Sequence, residues 1–433
     1  MKKRIFALLL ASVLLLGLVA CKADPVEPPV TDVPGTQTEA PQGGEDAPKP
    51  GDNGDGTTPG GTTPGGTTPG GTTPGGTTPG GETPPADDVK SIDIYLIAGQ
   101  SNASGYTKVK DASALYATAP GLENGYSNVH YAGNARSDTN NYATLVNNQK
   151  AWQPARLGFG RADSYFGPEA GMAAALSAYY NAETGKHAGI IKLAHGGTRL
   201  MNVITGSNQH GNWVSPSYAE ELNVVYENAT GGLYRALLEE VETQLGKLEE
   251  YGGFTHVNIK GLYWMQGESD RGDPVSYEKA FKLLVSDLRS DLSDIVKAYH
   301  GSNDDGGAAQ MAVIAGSISE TFSSADANSV ATNQAFIAMQ KGMERSIQSY
   351  YCLDNSQYEI NRGDGTTGVV GTDRYHWNQA DALEIGMNAG YLFLAVCTEY
   401  RDDTVEKWEA FYKELQQNGS NPYDDELGWT ERL

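Results

Sequence analysis

Residues 92–102 read IDIYLIAGQSN, an apolar run that ends in a turn of small and polar residues. The run Ile92–Ala98 has the length and composition of a buried strand. A strand with this ending presents Ser101 at the carboxyl edge of a sheet, beside backbone N–H groups where the next helix begins. That is the position of an acyl-transfer nucleophile. The residues also allow an ordinary turn, because Gly, Ser and Asn are common turn residues.

Strand-like and helical runs alternate through the chain that follows. The strand-like runs lie near 92–98, 188–194, 256–265, 310–318 and 349–354. The helical runs lie near 169–183, 217–248, 276–299, 330–347 and 379–397. This alternation predicts an α/β fold, a three-layer sandwich in which helices cover both faces of a mainly parallel sheet. Ligands of such sheets bind at the carboxyl ends of the strands, so the segments after the strands are candidates for a site.

Two of those segments carry residues suited to binding a developing oxyanion. His195-Gly196-Gly197-Thr198 follows one strand-like run, and a glycine there lets a backbone N–H approach a substrate. Gln266 follows another such run, and its amide could donate a hydrogen bond to the oxyanion. Simpler alternatives stay open. The two glycines could form only a turn, and Gln266 could only tie adjacent loops together.

A carboxylate precedes a histidine by three residues in Asp373-Arg374-Tyr375-His376. One tight turn at this spacing brings the acid to the imidazole Nδ1, which leaves Nε2 free to take a proton from a serine. The pair is therefore a candidate base with its orienting acid. The alternative is a surface aspartate and an unrelated histidine, since such a match arises easily among seven histidines.

The four segments, in this order, resemble the sialate O-acetylesterase-like carbohydrate esterases of the SGNH hydrolase superfamily. They read Gly-Gln-Ser-Asn, Gly-Gly-Thr, Trp-Met-Gln-Gly-Glu and Asp-Arg-Tyr-His, and the resemblance covers about residues 91–398. It implies a flavodoxin-like (SGNH hydrolase) sheet. It also implies that Ser101 is the nucleophile, His376 the general base and Asp373 its orienting acid.

The resemblance extends to the surroundings of the nucleophile. It implies an oxyanion hole formed by the Ser101 amide, the amide of Gly196 or Gly197, and the Gln266 side chain. Three further residues of the same motifs have supporting roles in this interpretation: Gln100, Asn102 and Glu268. Glu268 is expected to brace its loop or to touch His376.

The activity implied by the resemblance is removal of O-acetyl groups from glycans, of acetylxylan or sialic-acid type, through an acetyl-enzyme. Trp152, Trp213 and Trp377 are candidates to stack on sugar rings, because aromatic faces bury the C–H surfaces of sugars. Packing inside the domain is the alternative for each of them. The substrate expected is an acetylated carbohydrate.

Other classes of protein remain possible on the sequence alone. Glu268 and Asp270 could be the paired carboxylates of a glycosidase, but that hypothesis leaves Ser101 and the Asp373–His376 pair without roles. A non-catalytic glycan-binding lipoprotein on an esterase fold is the main alternative, since a fold does not determine a function. A purely structural surface protein would explain the tether described below, but not the four motifs.

The amino terminus has the features of an export signal. Positive residues at 2–4 precede a short apolar run, Ile5–Val19, which is typical of a signal peptide. The run ends in Leu18-Val19-Ala20-Cys21, which looks like a bacterial lipobox. The sequence therefore predicts a signal peptide over residues 1–20, lipidation of Cys21, and an exported lipoprotein anchored in the membrane at the bacterial cell surface. An ordinary signal peptide with an incidental cysteine is the alternative.

Residues 21–90 contain the predicted lipidated cysteine and a linker rich in Thr, Pro and Gly, with five Thr-Thr-Pro-Gly-Gly units. Such a composition cannot bury enough apolar surface to offset its ordering entropy, so we expect a disordered tether. A flexible coil of this length spans about 45 Å. Residues 91–400 form the predicted esterase domain. Residues 401–433 form a helical extension with an apolar stripe that we expect to dock on it.

The net charge, the cysteines and the known binding motifs bear on the partners, cross-links and cofactors that the chain could have. The chain has 31 Lys and Arg against 54 Asp and Glu, a net charge of −23 that disfavours nucleic acid as a partner. Cys352 and Cys397 could form a disulfide in an exported protein, or Cys397 could be a buried hydrophobic residue. The sequence contains no zinc-binding or phosphate-loop pattern, so it implies no metal and no cofactor.

Overall fold

A seven-stranded sheet forms the centre of the computed structural model, which describes residues 89–134, 149–201, 213–226, 230–323, 326–356, 358, 360, 373–400 and 406. The strands in these ranges are β1 (Ser91–Gly99), β2 (Thr107–Lys108), β3 (Tyr126–Asn134), β4 (Gln149–Ala155), β5 (Tyr165–Phe166), β6 (Ala188–Ala194), β7 (His256–Met265), β8 (Ala312–Gly316) and β9 (Tyr350–Leu353). The order in the sheet is β4-β3-β6-β1-β7-β8-β9, and β2 pairs with β5 in a separate ribbon.

The sheet is parallel except at one edge. β1 pairs in parallel with β6 and with β7, β3 is parallel to β6, and β8 lies between β7 and β9 in the same sense. Only the edge strand β4 runs antiparallel. Every residue of β6 is buried, as expected where helices cover both faces of a parallel sheet. The predicted α/β fold with a mainly parallel sheet is confirmed.

Ten α-helices lie in the described ranges. They are α1 (Ser101–Ser104), α2 (Ala112–Thr118), α3 (Gly121–Asn124), α4 (Pro168–Leu176), α5 (Pro216–Glu221), α6 (Gly232–Leu245), α7 (Leu248–Gly252), α8 (Pro274–His300), α9 (Ala327–Gly342) and α10 (Gln379–Cys397). Two short 3₁₀ turns cover Ala308–Gln310 and Met343–Arg345. The run predicted as one helix near 217–248 contains α5, α6 and the first residue of α7, and the left-handed residues Asn223 and Gly231 lie between α5 and α6.

Residues at both ends of the long helix α8 determine where it begins and ends. Asp273 accepts a hydrogen bond from the Ser276 N–H at 3.0 Å, Pro274 follows in the first turn, and Gly301 ends the helix with a φ of +60°. Its buried residues recur three and four apart and form one apolar stripe: Tyr277, Ala280, Phe281, Leu284, Leu288. This stripe anchors the helix in the core.

Two helices approach each other closely beside the sheet. A Cβ on Gly171 of α4 would lie 2.1 Å from the Leu383 carbonyl oxygen, and one on Gly386 of α10 would lie 2.4 Å from the Pro168 carbonyl oxygen. Only glycine allows this approach. The helix α10 is long and apolar enough to cross a membrane, but these contacts make it a core helix of the domain. The same contacts hold α10 in place. This helix begins at Gln379, directly after the segment that carries His376.

The strands β3 and β4, which form one side of the sheet, were not predicted from the sequence. The β3 sequence, YSNVHYAGN, mixes apolar and polar residues without a strict alternation, and its ladder with β4 contains irregular steps. Parallel pairing with β6 holds β3 in the sheet, although the local sequence of β3 does not by itself indicate a strand.

Several sequence predictions concern residues outside the described ranges. The signal peptide over 1–20, Cys21 and the linker lie there, except that residues 89 and 90 are described, and so does the 401–433 extension apart from Glu406. Cys352 and Cys397 do not form a disulfide, and the Cys397 Sγ lies 3.5 Å from the Lys260 carbonyl oxygen. The structure therefore favours the alternative without a disulfide for these two cysteines.

Candidate active site

The carboxyl ends of three neighbouring strands are joined at one point. The Gln100 N–H donates to the Met265 carbonyl at 3.0 Å, and the His195 N–H donates to the Gly99 carbonyl at 3.1 Å. Gly99 has a φ of +140°, and a Cβ there would lie 2.1 Å from the Met265 oxygen. This close approach requires glycine. It brings the loops after β1, β6 and β7 to the same edge of the sheet.

Ser101 is the first residue of α1, immediately beyond this junction. Its side chain is largely buried, with 8% of the residue's surface exposed. In the described part of the chain, its backbone N–H has no hydrogen-bond acceptor, as expected for the first turn of a helix. Ser101 therefore combines a hydroxyl and an available N–H at the sheet edge.

Asp373 and His376 form the pair that their spacing predicts. The Asp373 Oδ2 lies 3.1 Å from the His376 Nδ1, and the Oδ1 accepts the N–H groups of Tyr375 at 2.9 Å and His376 at 3.1 Å. An ionised carboxylate only accepts, so the Nδ1 carries the proton and the Nε2 has a free lone pair. Asp373 is buried, whereas the His376 side chain is 12% exposed. The turn thus orients the imidazole as a base.

Contacts from the chain after Ser101 hold the His376 segment in place. The Asn102 Nδ2 donates to the Tyr375 carbonyl at 3.2 Å, and the Thr107 hydroxyl donates to the Trp377 carbonyl at 3.2 Å. Tyr106 stacks on the His376 ring with the centroids 4.9 Å apart. The segments of Ser101 and His376, more than 270 residues apart in the chain, are therefore neighbours.

The Ser101 Oγ and the His376 Nε2 are not hydrogen-bonded to each other in this structure, and neither has another hydrogen-bond partner among the described residues. Such a pair often closes only when substrate binds.

The glycine pair after β6 leaves its backbone accessible. Gly197 is exposed, has a φ of +71°, and has no atom within 4 Å of the position of a Cβ. A Cβ on Gly196 would lie 2.8 Å from the Tyr106 hydroxyl. Within the described ranges the N–H groups of both glycines lack an acceptor. These groups and the Ser101 N–H are available to an oxyanion.

The contacts of Gln266 differ from those expected of an oxyanion donor. Its Nε2 lies 2.6 Å from the Asp270 Oδ2, 3.2 Å from the Thr198 carbonyl and 3.3 Å from the Gln100 Oε1. The residue is 1% exposed. Protein acceptors therefore occupy the amide, and the geometry favours the alternative in which Gln266 ties adjacent loops together.

The side chains of Gln100 and Glu268 brace the segment around Ser101 from two sides. The Gln100 Oε1 also faces the Ser269 N–H at 3.4 Å, and the Glu268 Oε1 accepts from the Asn102 Nδ2 at 2.8 Å. Burial raises the pKa of Glu268, and the hydrogen bond from Asn102 and the nearby His376 oppose that effect. Glu268 therefore braces Asn102 at the start of α1, and its two expected roles, bracing its own loop or touching His376, stay predictions.

A buried ion pair next to α1 was not predicted from the sequence. The Lys192 Nζ lies 2.9 Å from the Glu169 Oε2 and also donates to the Ser104 carbonyl at 3.0 Å and the Phe159 carbonyl at 2.6 Å. Burial lowers the pKa of Lys192, and Glu169 opposes this. The signal was a lysine within the apolar run 188–194. This cation binds the carboxyl end of α1.

The three tryptophans proposed to stack on sugars have no exposed ring face. Trp213 is 0% exposed and donates to the Thr198 hydroxyl, Trp377 is 2% exposed, and Trp152 is 6% exposed and donates to the Gln244 carbonyl. The prediction of sugar stacking is wrong for all three in this structure. The apolar ring surface made each of them part of the core, the alternative noted from the sequence.

Two arginines line a cavity of about 410 Å³ beside the site. Arg199 directly follows Thr198, and Arg271 follows the loop that contains Gln266 and Glu268. The Arg271 Nη1 donates to the Glu268 carbonyl at 2.7 Å. The carboxylates in the lining already have protein donors: Asp270 accepts the Leu200 N–H at 2.8 Å, and Asp273 caps α8.

The fold and this geometry together define a class of protein. A parallel α/β sheet with a serine, a histidine–carboxylate pair and free backbone N–H groups at its carboxyl edge is the arrangement of serine ester hydrolases. The family model described as "carbohydrate esterase, sialic acid-specific acetylesterase" matches residues 91–337 of the chain. The chain belongs to this family of carbohydrate acetylesterases and is a carboxylic ester hydrolase.

The solved structures to which the chain is similar include three proteins of low sequence identity. A protein from Arabidopsis thaliana has 18% identity and a TM-score of 0.43, covering 70% of this chain and 98% of its own. XAC1771, a carbohydrate acetylesterase from Xanthomonas citri, has 15% identity and a TM-score of 0.41, covering 70% and 56%. NanS has 15% identity and a TM-score of 0.44, covering 75% and 98%. No curated protein matches the chain.

Proposed function

We propose that the chain removes acetyl groups from carbohydrate in two steps, with Ser101 as nucleophile, His376 as general base and Asp373 as its orienting acid. One observation carries this proposal. The Asp373–His376 turn leaves the Nε2 lone pair available, and Asn102 joins that turn to the segment of Ser101. A base oriented by a carboxylate next to a serine at a sheet edge is the requirement for acyl transfer.

In the first step the Ser101 Oγ attacks the acetyl carbonyl carbon while its proton moves to the His376 Nε2. The carbonyl oxygen becomes negative and is stabilised by the N–H groups of Ser101 and of Gly196 or Gly197. The carbon–oxygen bond to the sugar then breaks, and the sugar oxygen takes the proton from the Nε2. In the second step water gives a proton to the Nε2 and attacks the acetyl carbon. The bond between that carbon and the Ser101 Oγ then breaks, the Oγ takes the proton from the Nε2, and the product leaves as acetic acid, which ionises to acetate.

Two arginines in the cavity beside the site support a sialic-acid substrate over acetylxylan. Arg199 and Arg271 place two guanidinium groups in one cavity of a chain whose net charge is −23. Arginine binds carboxylates through paired hydrogen bonds, and sialic acid carries a carboxylate that the xylan backbone lacks. We therefore infer that this cavity binds the carboxylate of an O-acetylated sialic acid.

Replacing Arg271 with glutamine is expected to raise the KM for an O-acetylated sialic acid about tenfold, because a charge-assisted contact is lost. The KM for acetylxylan is expected to change by less than about twofold. Acetate release from both substrates measures this. The control is Arg345→Gln, which removes the same charge from an exposed position before the amino end of β9. Equal changes on both substrates would assign Arg271 a structural role.

We also propose that the protein is exported and held at the cell surface by lipid on Cys21, after cleavage of residues 1–20. The support is the apolar run that ends in Leu18-Val19-Ala20-Cys21. A single acyl chain binds membranes only marginally, so stable anchoring needs several chains on this cysteine.

Expression of the full chain in a bacterium fed labelled fatty acid tests the anchor. Cys21→Ala is expected to lose the label and to leave the membrane fraction. Cys352→Ala, which removes a buried thiol from the domain, is expected to keep both. A labelled Cys21→Ala protein would refute lipidation at this position.

A further inference from the structure

Tyr375 is a large aromatic residue that the structure leaves in solvent beside the proposed base. It directly precedes His376, and 47% of its surface is exposed. The Tyr375 and His376 ring centroids are 6.3 Å apart. In the described residues few large hydrophobic side chains are exposed to this degree: Val89, Leu222, Val225, Val275 and Tyr375. Of these, Tyr375 alone is aromatic and adjacent to a residue of the proposed triad.

The backbone of Tyr375 is held on both sides. Its N–H donates to the Asp373 Oδ1 at 2.9 Å, and its carbonyl accepts from the Asn102 Nδ2 at 3.2 Å. These two bonds also position the His376 segment relative to Ser101. A substitution at Tyr375 that keeps the backbone therefore leaves both bonds available.

The ring of Tyr375 is supported from behind. It packs against Phe322 with the centroids 5.4 Å apart, and the Arg271 guanidinium covers the Phe322 ring at 5.0 Å. Phe322 itself is buried. A ring supported in this way loses little freedom when a ligand binds to its open surface.

The loop behind the ring is docked in a strained conformation. Ser323, which follows Phe322, has a φ of +69°, a value rare for residues other than glycine. Its N–H donates to the Arg374 carbonyl at 2.9 Å, so the loop is fastened to the segment that carries Tyr375 and His376. Strain of this kind persists where the surroundings hold the backbone in one position.

We propose that the exposed surface of the Tyr375 ring is the platform for the sugar ring of the leaving alcohol. The inference rests on the proposed function, in which the His376 Nε2 returns its proton to the sugar oxygen. That step places the sugar next to His376, where Tyr375 offers an apolar face bordered by a hydroxyl. Sugar rings have C–H surfaces and polar edges that match such a side chain.

The test compares a sugar ester with an ester that has no ring, because an aryl ester could itself stack on Tyr375. The substrates are an O-acetylated monosaccharide and ethyl acetate, and acetate release gives kcat/KM for each. Tyr375→Ala is expected to lower the ratio of kcat/KM for the sugar ester to that for ethyl acetate by about three- to tenfold. Tyr375→Phe is expected to retain the ratio, because it keeps the ring face.

Two results would refute the proposal that the Tyr375 ring is a platform for the sugar. An unchanged ratio in Tyr375→Ala would show that the side chain does not distinguish sugar from ethanol as the leaving group. The same fall in Tyr375→Phe would assign the effect to the hydroxyl and not to the ring face. Failure of the proposed function is separate from both, because it would appear as ethyl acetate hydrolysis that survives Ser101→Ala.

Discussion

Replacing Ser101 with alanine is expected to lower acetate release by at least about a thousandfold, because no covalent intermediate can form without the hydroxyl. The residual rate would come from substrate binding and from the N–H groups of the loops after β1 and β6. The Ser101 N–H stays in place after this substitution, so the effect measures the nucleophile and not the oxyanion hole. Acetate released from an O-acetylated sugar by purified protein is the measurement.

The matched control for this prediction lies in the same helix. Ser104 is also buried in α1, and its hydroxyl has no hydrogen-bond partner in the described structure. Ser104→Ala is expected to keep the activity, and a serine-reactive phosphonate is expected to label it at Ser101 only. Labelling that persists in Ser101→Ala, or activity that survives there, would exclude Ser101 as the nucleophile.

The second large effect is expected for Asp373→Asn, with a fall in kcat on the order of a thousandfold to ten-thousandfold. The amide oxygen of asparagine can still accept the N–H groups of Tyr375 and His376, so the turn is preserved. Its NH₂ group would face the His376 Nδ1, which must then accept a hydrogen bond. The proton moves to the Nε2, and the imidazole can no longer take the proton of Ser101.

The control for this substitution is Asp305→Asn. Asp305 also accepts backbone N–H groups in a turn, from Gly307 at 2.9 Å and Ala309 at 3.2 Å, but it lies before the amino end of β8. We expect it to keep full activity. Steady-state kinetics with a melting curve for each variant separates catalysis from folding. An Asp373→Asn protein that retains a tenth of the activity would remove Asp373 from its orienting role.

The secondary structure was predictable where local pattern and burial agree. The runs at 188–194 and 256–265 are strands with those bounds, because β6 is apolar except for Lys192 and the second half of β7 is apolar and buried. The strands β3 and β4 were missed because their sequences mix polar and apolar residues without a strict alternation. The run near 217–248 was predicted as one helix because its apolar spacing hides the turns at Asn223 and Gly231.

Side-chain contacts were predictable where one short turn of the chain makes them. The spacing of Asp373 and His376 sets their hydrogen bond by itself, since three residues make one turn. Gln266 and the tryptophans were different. Whether an amide faces a substrate or a neighbouring loop depends on which acceptors lie across the sheet edge, and Asp270, Thr198 and Gln100 lie there.

The sequence by itself determined the fold class, the order of the motifs, and the residues able to act as nucleophile, base and orienting acid. These depend on periodicity and on spacing within a few residues. The tertiary structure decided which aromatic residues meet solvent. It buried Trp213 and exposed Tyr375, because the exposure of a ring depends on the elements packed around it. It also placed Lys192 and Glu169 beneath α1, where residues distant in the chain share one buried charge pair.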